Sequence, residues 1–297
     1  MKWMQGVING VSFVGVELED GRLLDVGRAT YALSPESQLP SSLLECLEHY
    51  DVEGIVSKLL SFDFETLRYY AYDPGEVALQ PPLTNPYKHV LCIGKNYADH
   101  VTEMTKDASL PEAPVVFTKG PGTIIGHQSP IPAHSSVTAA LDYEGELAVV
   151  IGKKGRAINQ EDAFTHVFGY TILNDVTARD LQTKHKQFYL GKSLDGTCPI
   201  GPYVISKDAI PDVTKLTIET RVNGELRQRG SLKDLIFDIP TIIAELSKGM
   251  TLVPGDIIAT GTPAGVGKGM NPPMFLRQGD TVAITIAGIG ELVNTVK

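Results

Sequence analysis

The sequence predicts a strand-rich α+β fold, a mixed β-roll or barrel behind a smaller N-terminal α+β segment, and three observations carry that expectation. Short β-branched runs recur beyond the first quarter of the chain, Gly, Pro and Asp turns separate them, and helical periodicity is confined to a few stretches. With 297 residues, 42% hydrophobic and 21% charged, the chain can bury a sizeable core without disulfide or metal staples.

In order, VSFVGVELEDGRLLDVG alternates apolar and polar residues about Asp20-Gly21, a pair suited to positive φ, and predicts a β-hairpin. The stretch SSLLECLEHYDVEGIVSKLLSF, residues 41–62, places apolar residues at helical spacing after a serine cap and predicts one or two helices. Pro74, Pro81, Pro82 and Pro86 then crowd residues 73–88. Proline removes amide donors and fixes φ, so a boundary is placed there, giving a small domain over 1–80 and a larger one over 81–297.

Beyond it, HVLCIG, APVVFTK, GELAVVIG, VFGYTILND, GPYVIS, LTIETRV, DIIATG and TVAITIAG read as strands. Asn223-Gly224 between two alternating segments is a strong hairpin signal, and residues 239–248 are the best helix candidate. These proportions favour a roll or barrel over repeated βαβ units.

A formal net charge of -9 argues against nucleic-acid or anionic-membrane partners, which demand clustered Lys and Arg. An anionic substrate must therefore be captured locally. Cys46, Cys92 and Cys198 form no close-spaced pair, the N-terminal residues lack the apolar core and cleavage site of a signal peptide, and no run approaches a membrane span. A soluble cytoplasmic protein is expected.

In LDYEGELAVVIG, Glu144 and Glu146 lie two positions apart, so on a strand both leave the same face and can share one ion. The run from Leu147 to Ile151 has no polar alternation and implies a strand buried on both faces. Adjacent carboxylates near a buried region repel unless a cation compensates. Asp175, closing VFGYTILND, would complete an all-oxygen site suited to hard cations such as Mg²⁺, Mn²⁺ or Ca²⁺, of which Mg²⁺ or Mn²⁺ also leaves positions for substrate. Taken alone, a Glu-x-Glu usually decorates a solvated face; the neighbouring motifs decide otherwise.

In GKNYADHVTEM, Asn96 is the expected helix cap, and His100 and Glu103, three apart, share a face on which the carboxylate orients the imidazole as a base. Lys192 follows an aromatic stretch and a glycine, placing its ammonium to reach an anion at the metal. Cys198, without a histidine nearby in sequence, reads as packing. The segment GDIIATGTPAGVGKG fails as a phosphate loop, because Thr262 stands where glycine is needed and Gly269 where Ser or Thr is needed. Its amides and Thr262 are instead expected to hold a carboxylate.

Together, IGKNYADHVTEM, PVVFTKGPGTIIGH, LDYEGELAVVIGK, NDVTARDLQ, GKSLDGTCPIGP, RVNGELRQRG and DIIATGTPAGVG resemble the fumarylacetoacetate hydrolase superfamily, in family order over residues 85–297. The resemblance implies a mixed β-roll catalytic domain, a homodimer, and one Mg²⁺ or Mn²⁺ per subunit bound by Glu144, Glu146 and Asp175. It implies His100 and Glu103 as the catalytic pair, Lys192 as an active-site lysine, and Lys119, Arg179, Gln182 and Thr262 as substrate-pocket residues.

Within the superfamily, KHKQFYLGKSLDGTCP and LSKGMTLVPGDIIATGTPAGVGKG look closest to bacterial oxaloacetate decarboxylases, with similarity also to the mitochondrial acylpyruvase branch. Lys95 stands where that motif often has Arg, keeping the charge but losing the planar fork. The implied activity is metal-dependent carbon-carbon cleavage in a small keto acid, oxaloacetate decarboxylation first. Acylpyruvate or fumarylpyruvate hydrolysis, hydroxymuconate isomerisation and a noncatalytic metabolite-binding role are the alternatives.

Overall fold

Local turn chemistry sets the first elements. In a computed structural model describing residues 1–84, 88–104 and 109–297, Lys2–Ile8 and Val11–Glu17 form a hairpin about Asn9-Gly10. Both turn residues have positive φ, 51° and 79°, the signature of a two-residue hairpin loop. The expected hairpin about Asp20-Gly21 also forms, pairing Val11–Glu17 with Leu23–Asp25. The expected helical stretch resolves into Leu43–His49 and Val52–Leu59, with Ser42 and Asp51 accepting hydrogen bonds from the first-turn amides. An additional helix, Val26–Leu33, is capped by Asp25.

The eight expected strands all form, and six of them join the N-terminal hairpins in one open, mostly antiparallel sheet of twelve strands. Its order is Ala71–Tyr72, Leu23–Asp25, Val11–Glu17, Lys2–Ile8, Cys198–Ser206, Val167–Asn174, Gly145–Ile151, Ile257–Ala259, Val90–Gly94 and Val115–Lys119, with two short strands off this path. Only Ile257–Ala259 and Val90–Gly94 run parallel along that path. The ends do not close on each other, so the strand-rich α+β class holds without a closed barrel. Pairing of Lys2 and Trp3 with Ile205 and Val204 carries the sheet across residue 80. Pro86, part of the expected boundary, lies outside the described residues.

LTIETRV and TVAITIAG leave this path for a second, four-stranded antiparallel sheet, Glu225–Ser231, Thr217–Val222, Thr281–Ile286 and Gly290–Thr295. Asn223 and Gly224 again both take positive φ, and the predicted hairpin follows. The strand Gly145–Ile151 is buried at every position because its faces enter different cores. Leu147, Val149 and Ile151 pack with Ile218, Ile284 and the helix Ile239–Ser247, whereas Ala148 and Val150 pack with Val16, Leu43 and Val56. This explains the missing polar alternation. Gly145 permits the close approach of the two sheets: a Cβ there would lie 2.2 Å from Thr220 Oγ1.

One expected cap is overturned. The helix Ala98–Met104 begins after Tyr97, and Asn96 instead ties distant loops together. Its amide donates to the carbonyls of Phe237 (3.0 Å) and Thr260 (2.8 Å), and its Oδ1 accepts from Phe237 N at 2.8 Å. Those buried backbone groups have a stronger claim on it than a solvated helix end. Asn96→Ala, which strands all three, is expected to destabilise the fold by roughly 3 kcal/mol. The shift in urea midpoint measures this, and a change below about 1 kcal/mol would return Asn96 to a local role.

Candidate active site

The triad follows from strand register. Gly145 pairs with Asn174, so Asp175, the next residue, lies beside Glu144, and Asp175 N donates to Glu144 O at 2.8 Å. Glu144, Glu146 and Asp175 are all buried and offer oxygens within 4.8 Å of one another. Bonds of about 2.1 Å from one small cation nearly span that separation.

Three buried cations surround the acids. Lys192 Nζ donates to Glu144 Oε2 (2.8 Å) and Asp175 Oδ2 (2.6 Å). Arg179 Nη1 lies 2.7 Å from Glu144 Oε1, while its Nε donates to Asp142 Oδ2 at 2.8 Å. Lys119, expected to line the substrate pocket, does not. It is fully buried behind Asp175, with Nζ 2.8 Å from Asp175 Oδ1, and donates to the carbonyls of Val176 and Lys192. Two of its donors go to these carbonyls and its charge lies against Asp175, so it serves to hold the triad.

The charge count leaves a deficit: Asp142, Glu144, Glu146 and Asp175 face Lys119, Arg179 and Lys192. Among the described residues, Glu146 is the acid with no cationic contact, and its Oε2 accepts from Gly261 N at 2.8 Å. Burial, then the charges of Asp175 and Glu144, push its carboxyl well above the usual range. Burial also pushes Glu144 up, but Lys192 and Arg179 outweigh it and hold that group below its ordinary value. Asp175 Oδ1 sits near Lys119 without an aligned hydrogen bond, so it too is underused. An all-carboxylate set lacking one positive charge and containing an orphaned buried oxygen fits a hard divalent cation.

The Gly-rich loop after Ile257–Ala259 does bind carboxylates through its amides, but they belong to the protein. Gly261 N serves Glu146, Gly265 N serves Glu103 Oε1 (2.9 Å), and the amides of Gly267 and Lys268 serve Asp142 at 2.7 and 3.0 Å. Gly265, at φ 106°, passes so close to Arg227 that a Cβ would lie 1.9 Å from its carbonyl oxygen. Thr262, expected to orient substrate by its hydroxyl, spends that proton on Gly145 O and accepts from Gln228.

His100 and Glu103 meet as expected, with Nδ1 and Oε2 3.3 Å apart. Both rest on the helix Ala98–Met104, and Gly265 fixes the other Glu103 oxygen. His100, Glu144, Glu146, Arg179, Gln182, Lys192 and Thr262 all line one cavity of about 310 Å³. A larger hollow of about 540 Å³ beside Phe164, Tyr170 and Val213 contains none of the candidate residues. Cys198, Cys92 and Cys46 are free and buried, as packing requires.

Asp142 was missed by the sequence reading, although it alternates with Glu144 and Glu146 on the same segment. So were Lys186 and Lys268, which line the cavity together with Lys95, the residue noted at its motif's usual Arg position. The 179, 182, 183, 186 spacing of cavity residues is a helical face that sequence can display.

Residues 89–297 match the family model described as fumarylacetoacetate hydrolase C-terminal. Over the full length of both chains, the sequence is 51% identical to the oxaloacetate tautomerase YisK of Bacillus subtilis. The structure resembles a fumarylacetoacetate hydrolase from the psychrophile Exiguobacterium antarcticum, with TM-score 0.83, 47% identity and coverage of 100% of this chain and 99% of that one. It also resembles a 2-hydroxyhepta-2,4-diene-1,7-dioate isomerase from Mycobacterium marinum, with TM-score 0.74, 29% identity and coverage of 100% and 98%. The chain belongs to the fumarylacetoacetate hydrolase family and is an enzyme homologue within it.

Proposed function

We propose that this protein is a divalent-metal-dependent enzyme that moves a proton on a small keto diacid, interconverting the keto and enol forms of oxaloacetate. The observation that carries the proposal is a positioned base, His100 with Glu103, in the same cavity as a carboxylate cluster lacking one positive charge. The similarity to an oxaloacetate tautomerase supports the choice of substrate.

Glu144, Glu146 and Asp175 would hold Mg²⁺ or Mn²⁺, which supplies Lewis-acid stabilisation of charge on a keto oxygen. With Nδ1 engaged by Glu103, His100 Nε2 is the nitrogen that exchanges protons. It takes a proton from C3 of the keto acid, the C–H pair becomes the C2–C3 double bond, and negative charge moves to the C2 oxygen. Protonation of that oxygen gives the enol. Among the described residues, Lys192 has committed two of its three N–H donors and Arg179 Nη2 has no partner, so each retains a donor for a substrate oxygen.

The decarboxylation anticipated from the sequence uses the same electron sink. There the C3–carboxylate bond breaks to release carbon dioxide, and the base serves only the final protonation. A base built into the cavity therefore ranks proton exchange ahead of it. Acylpyruvate hydrolysis would instead employ His100 on water.

Ultraviolet absorbance of the enol, a coupled assay for pyruvate, and acylpyruvate cleavage separate the three reactions. Metal-dependent enol-keto exchange faster than pyruvate release is expected; pyruvate release as the faster reaction would make the enzyme a decarboxylase. His100→Ala should slow exchange by roughly 10²-fold or more while leaving metal affinity intact. Glu146→Ala should weaken Mn²⁺ binding by more than the roughly 100-fold typical of losing an outer-shell partner. Unchanged affinity by calorimetry would remove Glu146 from the ligand set.

The pH dependence has a definite sign. Glu146 is raised above its ordinary carboxyl value in the metal-free fold, so the unfolded chain loses this proton first as pH rises. Its contribution to metal-free stability therefore declines above the ordinary range, whereas a cation replaces the proton. The melting-temperature gain from Mg²⁺ is expected to be larger at about pH 8 than at about pH 6. A gain that shrinks over this interval would contradict the assignment.

A further inference from the structure

The cavity contains two classes of cation. At its floor, Arg179 and Lys192 are 3% and 2% exposed and committed to Asp142, Glu144 and Asp175. Lys95, Lys186 and Lys268 also line it, yet none pairs with an acid among the described residues. Lys95 and Lys186 are exposed and so stand at the mouth.

Both mouth lysines have backbone conformations that side-chain-bearing residues rarely adopt. Lys95 has φ 56° and directly follows the strand Val90–Gly94. Lys186 ends the helix Arg179–His185 with φ 60° and ψ -42°, and Gln187 N donates to His185 O across it at 2.6 Å. This is a γ-turn with positive central φ, the strained form that glycine tolerates best. Strain of this kind gathers where a side chain is needed in a particular place.

Helical spacing gives that place meaning. Arg179, Gln182, Thr183 and Lys186 lie on one face of the helix and all reach the cavity, running from the buried floor to the exposed mouth. Seven residues advance about 10 Å along a helix axis, so the two ends of this face meet different parts of a ligand. The chain carries a net charge of -9, and an approaching dianion finds its uncommitted positive charge at this mouth.

We propose that Lys95 and Lys186 form an outer carboxylate clamp that makes the cavity select dicarboxylates over monocarboxylates. This rests on the proposed function, in that the keto-acid end occupies the floor beside Glu144, Glu146 and Asp175. The distal carboxylate then accepts charge-assisted hydrogen bonds from the two ammonium groups.

The test compares 2-oxoglutarate with 2-oxopentanoate, which share the keto-acid end and length but differ in a distal carboxylate versus a methyl group. Calorimetry on the Mg²⁺-loaded protein at low ionic strength is expected to show a preference for 2-oxoglutarate of about tenfold or more. Lys95→Gln/Lys186→Gln should erase the preference and its salt dependence while sparing 2-oxopentanoate affinity. An undiminished preference, or equal loss for both acids, would overturn the clamp.

Lys186→Gly provides a second arm. Glycine accommodates the turn, so the variant should lose part of the diacid preference with a melting temperature unchanged or raised. A lowered melting temperature would assign Lys186 to structure and overturn its part in the clamp. A clamp that behaves as expected on an enzyme with no oxaloacetate exchange would support this inference while overturning the proposed function. Failure of wild type to bind 2-oxoglutarate would overturn the clamp and leave the proposed function to the oxaloacetate assay.

Discussion

Four carboxylates buried close together in space are the constraint to which the rest of this structure answers. Asp142, Glu144, Glu146 and Asp175 are each at most 5% exposed, and desolvated anions in such proximity are unfavourable unless matched. Lys119, Lys192 and Arg179 supply three positive charges, and four backbone amides of residues 261–268 supply fixed dipoles. One of those amides serves Glu103, linking the base to the same loop. The remaining deficit is local to Glu146, and a deficit of that kind would give the cluster affinity for a cation.

Compensation also explains why the site lies where strands end. A carboxylate in the middle of Gly145–Ile151 would enter one of two dry cores, whereas the strand's beginning adjoins the cavity. Gly145 lets the second sheet approach that end, and the N-terminal helices cover the opposite core. Segments far from the chemistry thus keep water from all but one side of the acids. Low water access strengthens every electrostatic interaction at the floor.

Much of this was legible because it is periodic. Alternation placed Glu144 and Glu146 on one face, helical spacing paired His100 with Glu103, and Asn223-Gly224 fixed its hairpin. Asn9-Gly10 carried the same turn chemistry in a segment where Asp20-Gly21 drew the attention. What could not be read is partnership across long sequence distances. Asn96 has the composition of a cap but serves Thr260, 164 positions away. Lys119 has the composition of a substrate lysine, yet pairing Val90–Gly94 with Val115–Lys119 delivers it behind Asp175. A side chain's residue type states what it can bond; only the assembled sheet states which claimant is nearer.

The glycine-rich loop joins these strands of argument. Its sequence departs from a phosphate loop at Thr262 and Gly269, and the structure gives the departure a physical meaning. Amides that would cradle an external phosphate are occupied by Glu146, Glu103 and Asp142, which are respectively a metal-ligand candidate, the partner of the base, and the anchor of Arg179. One backbone segment therefore sets the relative positions of the candidate cation site, the His100–Glu103 pair and the Arg179 guanidinium. Because the contacts are made by N–H groups, side-chain identity along the loop is secondary to its path, and that path needs glycine where Gly265 grazes Arg227. Preorganisation here resides in backbone geometry, and the mouth lysines take no part in it among the described residues.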